Sequence, residues 1–265
     1  MSPEPDHSTG TAQRDGTAGR PDAPVEPGPA PWPDPAAGPD PTAGPDPTAL
    51  DAARAEIVRV GGSLFARGYV HASAGNISAR VGDAQLITPT DAALGFLRPE
   101  RLALVDAEGR QLAGDRASKT LALHQRIRAA DRTATFVVHT HSTHLVGLTL
   151  TGVWKPEDVL PPITPYYVMK VGHVPLIPYH RPGDPRVADL VAERIAERAA
   201  AGTPIRAVLL ERLGPVVWGP DASAALAVLE ELEETAKLWL LTGRRPDPLP
   251  ETALDELKSA FGAAW

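Results

Sequence analysis

The distribution of proline sets the first limit on what this chain can fold into. Thirteen of its 29 prolines lie within residues 1–48 of 265. Proline has no backbone N–H and a fixed φ, so a run this dense supports neither helix nor sheet. The same stretch holds eight carboxylates against Arg14 and Arg20, and it repeats Gly-Pro-Asp-Pro-Thr-Ala over 38–43 and 44–49. Val25 and Trp32 are its only large apolar side chains after Met1. So little apolar surface cannot offset the entropy of ordering. The pattern predicts a disordered tail over 1–48 and one folded domain over 49–265.

The tail carries most of the formal net charge of −7; the remaining residues hold 25 acids and 24 bases. A near-neutral body argues against a nucleic-acid binder, which shows a basic excess. No apolar run approaches the roughly 20 residues of a membrane span, and the N-terminus has no apolar or Arg-rich targeting pattern. There is no cysteine, which excludes disulfides, thiolate-held zinc or iron–sulfur centres and a Cys nucleophile. A cytoplasmic protein acting on a small molecule is the expectation, with no nucleic acid and no membrane as partners.

Helical and strand-like patterns alternate through the body. Thr48 is a candidate helix cap ahead of Ile57, Val60 and Leu64, with Gly68 as the stop. Ala84–Ile87, Leu102–Asp106 and Thr135–His141 read as short strands. Ser118 is placed as the cap of a helix through Ala130. A helix follows Asp184 to Ala201, and Asp221 caps a long Ala/Leu/Glu helix to about Leu241. Arg206–Leu210 and Val216–Trp218 read as a strand pair joined through Gly214-Pro215. Alternating helices and short strands give an α/β domain.

The sharpest chemical feature is His139-Thr-His141. Residues i and i+2 of a strand share a face, so both imidazoles can converge on one divalent ion such as zinc, manganese or iron(II). A third side-chain ligand is normally required. His144 is placed at the start of the next helix with a local role. Gly75-Asn76-Ile77-Ser78 is read as a turn that can also cradle an anion. Ser118 and Lys119, at a predicted helix start, gather a hydroxyl, an ammonium and free N–H groups. His173 and His180 lie in a proline-rich, irregular segment, and either can approach a metal. Tyr166 and Tyr167 suit proton donation or packing equally.

In order along the chain, Gly75-Asn-Ile-Ser78, Leu86-Ile-Thr-Pro-Thr90, Ser118-Lys119 with His124, Val138-His-Thr-His141 and Leu209-Leu210 with Gly214-Pro215 resemble the class II aldolase/adducin family. Leu160-Pro-Pro-Ile-Thr-Pro-Tyr-Tyr-Val-Met169 and Arg181-Pro-Gly-Asp184 resemble its branch that decarboxylates 3-oxo-tetronate 4-phosphates. The resemblance implies a three-layer α/β domain, a central mixed or antiparallel sheet flanked by helices, and a homotetramer with active sites at subunit interfaces. It implies a divalent metal on His139 and His141, with substrate phosphate held by Gly75, Asn76, Thr90, Ser118 and Lys119. The implied reaction is carbon–carbon cleavage of a small oxo acid through a metal-stabilised enediolate.

Two positions depart from the family pattern. Leu213 stands where the third metal-binding histidine belongs, and leucine cannot ligate. Thr120 stands at the acid/base carboxylate and cannot exchange protons near neutral pH. If residues 211 and 213 share a strand face, Glu211 supplies a carboxylate to the histidine pair. Two His and one carboxylate form the facial triad of non-heme iron oxygenases, which opens an alternative: oxidative decarboxylation of an aryl-pyruvate in antibiotic biosynthesis. A further alternative is a non-catalytic, adducin-like scaffold. The lyase is the primary expectation, with Tyr166 and Tyr167 as proton donors.

Overall fold

The computed structural model describes residues 45–265. The tail expected over 1–48 lies outside the described residues except at its end, where helix α1 (Pro47–Ala66) begins. Thr48 is not its cap. Asp46 is, accepting the Thr48 N–H at 3.0 Å. Pro47 occupies the first helical position, where a missing N–H leaves nothing unpaired. Ile57, Val60 and Leu64 are buried, as their spacing predicts.

Eight strands form one sheet: β1 (Asn76–Val81), β2 (Ala84–Ile87), β3 (Ala103–Val105), β4 (Gln111–Ala113), β5 (Phe136–His139), β6 (Leu176–Ile177), β7 (Ala207–Leu210) and β8 (Gly214–Gly219). Their order is β4-β3-β2-β1-β5-β8-β7-β6. Every pair is antiparallel except β6 with β7. The mixed sheet expected from the family resemblance is the one observed. The segment read as a turn around Asn76 is instead the first residues of β1, a central strand between β2 and β5. Only Gly75, just before it, bends. Most of β1 is covered on both faces, which removes the alternation by which a half-exposed strand is recognised.

Five of the helices lie on the two faces of the sheet. On one face, α1, α3 (Thr143–Thr151) and α5 (Ala222–Leu241) close a large core with Ile77, Leu86, Phe136, Val138, Leu209 and Val217. On the other, α2 (Leu121–Ala130) and α4 (Pro185–Ala200) close a second core with Val137, Val208, Val216 and Trp218. Asp184 and Asp221 cap α4 and α5 through backbone N–H groups, as the sequence predicts. Helix α2 starts later than expected, because residues 116–118 pair with 88–90 as extended chain: the Ser118 N–H donates to the Thr88 carbonyl at 3.2 Å. A π-helical turn (Tyr167–Val171) and α6 (Glu251–Phe261) complete the chain.

Candidate active site

Alternation along β5 decides where the site opens. Val137 enters the core under α2 and α4, so His139 faces the same side, at the strand end where no helix covers it fully. A cavity of about 290 Å³ lies there. That is near the small end of ligand sites, which run from roughly 300 to 1,000 Å³. It suits a substrate of a few carbons.

Gly75, Asn76, Thr90, Ser118 and Lys119 all line this cavity, together with His139 and His141. Seven of the ten residues singled out from the sequence thus come together. They arrive from five places: the start of β1, the loop after β2, the approach to α2, the end of β5 and the approach to α3. Gly75 makes the closest approach. Its φ is +88°, and a Cβ there would sit 2.6 Å from the His139 carbonyl oxygen. No other residue type fits without moving β5.

The His139 ring accepts little freedom. Its Nδ1 lies 2.8 Å from the Pro215 carbonyl oxygen. A carbonyl only accepts, so Nδ1 carries the proton and Nε2 keeps its lone pair. Burial, reinforced by His141 beside it, pushes His139 down to about 4. Burial and then His71 lower His141 as well. The two ring centroids are 5.0 Å apart. Both imidazoles are therefore neutral bases at neutral pH.

The remaining three expected residues lie elsewhere. Tyr167 is fully buried in the core on the opposite face of the sheet, against Trp265, and its hydroxyl finds no partner among the described residues. Burial pushes that phenol well above its ordinary value, so it is not a proton donor for this cavity. Tyr166 is 60% exposed and does not line the cavity. Glu211 does not reach the histidine pair: its carboxylate accepts the Tyr179 N–H at 2.9 Å. The physical reason is local. Residues 211–213 form the tight turn between β7 and β8, and Arg212 is left-handed at φ +64°. Strand alternation therefore does not carry from 213 to 211. Leu213 lines the cavity, as the family position predicts.

Three histidines singled out from the sequence have carboxylate neighbours of their own. His173 Nδ1 pairs with Asp158 at 2.8 Å and its ring stacks on Trp265. His180 lies 3.8 Å from Asp184. His144 has the local role expected of it. Its ring and N–H bond Glu233 of α5, whose other oxygen accepts from Leu145, so a distant carboxylate caps α3. Sequence reasoning missed Arg181 as a cavity residue. The signal was present in the Arg-Pro-Gly-Asp run before α4, which was read only as a mark of resemblance.

The profile of the family described as "Class II Aldolase and Adducin N-terminal domain" matches residues 55–240. The chain belongs to this family. A 3-oxo-tetronate 4-phosphate decarboxylase of Cupriavidus necator is 58% identical over 217 residues, covering 80% of this chain and 97% of that protein. An L-fuculose phosphate aldolase of Methanocaldococcus jannaschii is 30% identical over 188 residues, covering 71% and 96%. Among solved structures, YgbL of Klebsiella pneumoniae superposes with a TM-score of 0.72 at 40% identity, covering 78% of this chain and 98% of that one. The fold is that of the class II aldolases, and the relatives named are lyases.

Class II aldolases typically use a divalent metal. The donors here suit one in kind and fall short in number. His139 presents a free Nε2 and His141 a neutral ring, but Leu213 offers only hydrocarbon, and no group of three His, Asp or Glu side chains placed to hold an ion exists among the described residues. The residues present do not make the three-ligand set of a catalytic metal site.

Proposed function

We propose that this protein is a carbon–carbon lyase of the decarboxylase type, acting on a small phosphorylated oxo acid such as a 3-oxo-tetronate 4-phosphate. The observation that carries the reading is the convergence, in one small cavity, of anion-binding groups with two neutral imidazoles, in a chain 58% identical to a decarboxylase of that substrate.

When CO2 leaves a 3-oxo acid, the electron pair of the broken C–C bond passes to the ketone oxygen. Lys119 and Arg181 are the two cationic side chains lining the cavity. They meet a substrate that carries a phosphate and a carboxylate. The Ser118 and Thr90 hydroxyls and the Asn76 amide add hydrogen bonds that orient it. The carbon that loses CO2 takes up a proton from solvent, and His139, neutral with Nε2 unprotonated, accepts a hydrogen bond from a substrate hydroxyl. Thr120, bonded to Ser118 Oγ at 2.9 Å, belongs to the binding wall and not to proton transfer. Family members are commonly homotetramers, and we extend that assembly to this chain. Phe96, Leu241 and Phe261 are exposed and available to bury.

The test is CO2 release from 3-oxo-tetronate 4-phosphate, with and without added zinc, manganese or iron(II). No release under any of these conditions overturns the lyase. Leu213 and Thr120 favour one second reading, a family member that binds the anion without turning it over. Binding with no CO2 would establish it. The oxygenase reading is left without support: Glu211, His173 and His180, its candidate third ligands, have other partners, and the relatives named are lyases.

A further inference from the structure

Beneath the cavity floor runs a buried polar chain that the reaction as described does not use. It has four members. Asn76 and Ser78 sit two apart on β1 and so share a face. His124 and Arg128 sit four apart on α2 and so share a stripe. Packing α2 on β1 interleaves them. Arg128 donates to Ser78 Oγ at 2.7 Å. Ser78 Oγ lies 2.6 Å from His124 Nδ1. His124 Nε2 lies 2.6 Å from Asn76 Oδ1. Ser78 and His124 have no exposed surface, and Asn76 has 7%, on the side that lines the cavity.

The chain has a direction. Arginine only donates. Asn76 Oδ1 only accepts, so His124 donates through Nε2; the neutral ring then has no proton on Nδ1, which accepts from the Ser78 hydroxyl, itself accepting from Arg128. The imidazole proton is on Nε2 and donates to Asn76 Oδ1. With the oxygen held in this way the amide NH2 group is directed away from the His124 ring, and Asn76 lines the cavity. No carboxylate pairs with Arg128 among the described residues; its other contacts are Gln85 Oε1 and the Thr135 carbonyl. The positive end of the chain is therefore not cancelled, and each bond polarises the next in the same sense.

We propose that His124 is a positioning residue: locked in the Nε2–H tautomer, it orients the Asn76 amide so that this wall of the cavity presents donors to an anionic group. The ligand class is a phosphate or carboxylate anion. The inference rests on the anion-binding half of the proposed function and not on turnover. It separates His124 from an ordinary core histidine, which would need a partner but no particular tautomer.

The first measurement needs no ligand. Long-range ¹H–¹⁵N correlation of the histidine rings reports the tautomer of His124 in the intact protein. The Nε2–H form is expected. The Nδ1–H form overturns the proposal, because it reverses the amide. The second measurement is titration with inorganic phosphate, followed on the side-chain NH2 resonance of Asn76, assigned by its loss in Asn76→Ala. Wild type is expected to shift that resonance; no shift overturns the proposal. His124→Phe is expected to weaken phosphate binding about tenfold, and His124→Gln, which can still donate to Oδ1, to recover part of it. The double variant His124→Phe/Asn76→Ala is expected to bind no worse than Asn76→Ala alone. Additive losses would assign His124 a structural role only and overturn its positioning role. If His124→Phe does not fold, the wild-type tautomer and Asn76 shift still decide. The predicted tautomer and phosphate response without CO2 release leave this inference standing and remove the lyase.

Discussion

Leu213 is one atom set away from a metal ligand. It lines the same cavity as His139 and His141, and histidine at that position would complete three imidazoles. As purified, the wild type is expected to hold much less than one zinc per chain, and Leu213→His to retain about one. Elemental analysis of both proteins checks this, with Leu213→His/His139→Ala returning to the wild-type level. A wild type already holding a full equivalent would mean that a donor from outside this chain's described residues completes the site. Lys119 carries the second prediction at this scale. Lys119→Met is expected to raise KM for a phosphorylated substrate about 10- to 100-fold with a smaller change in kcat, since it removes a charge-assisted bond to the anion. Equal KM in the two proteins would remove Lys119 from the binding wall.

Among the elements, the junction of β1 with β5 is the least tolerant. Gly75 has a positive φ, and its Cα faces the His139 carbonyl, so Gly75→Ala combines backbone strain with a steric clash. A loss of about 2–4 kcal/mol is expected from chemical denaturation. The same element pair shows where pattern reading works and where it stops. Helices α4 and α5 were legible to the residue, because Asp184 and Asp221 announce their starts and their apolar stripes face one side. Strand β1 was not, because burial on both faces hides its period. The turn at 211–213 was not, because nothing in Glu-Arg-Leu-Gly marks Arg212 for a left-handed conformation. Helix α6 and the two-residue β6 were not foreseen either; β6 is too short to show any alternation.

For the molecule as a whole, the buried histidines predict a pH response. His139 is lowered to about 4 from 6.5, and His124 is lowered well below 6.5 by burial, then by Arg128 and His139. Between these values the unfolded chain binds protons that the folded chain does not. Stability therefore rises with pH through this window, is complete above about 6.5, and is lost on acidification toward 4. Melting temperature measured from pH 7.5 to 4.5 is expected to fall, and to fall less steeply for His139→Asn. Identical slopes would mean that the ring is not buried in its neutral form. Assembly belongs to this scale too. Light scattering is expected to give four chains per particle, and Leu241→Glu, on the exposed end of α5, to lower that number; an unchanged number would remove that end from the interface.

By itself the sequence determined the family, the α/β class, the helix starts at Asp184 and Asp221, and most of the polar residues that gather at the cavity, though not Arg181. These are properties of local chemistry: a cap, a period, a His-x-His spacing. Only the tertiary structure decided which of those residues meet. Whether Glu211 faces His139 depends on the conformation of one turn, and whether Tyr167 faces the cavity depends on which side of the sheet its segment packs. The role of His124 depends on two periodicities, two along β1 and four along α2, interleaving when a helix settles on a strand. Neither segment contains that register alone; it is set where Leu123 and Ile127 of α2 pack beside Val137 and Trp218 of the sheet.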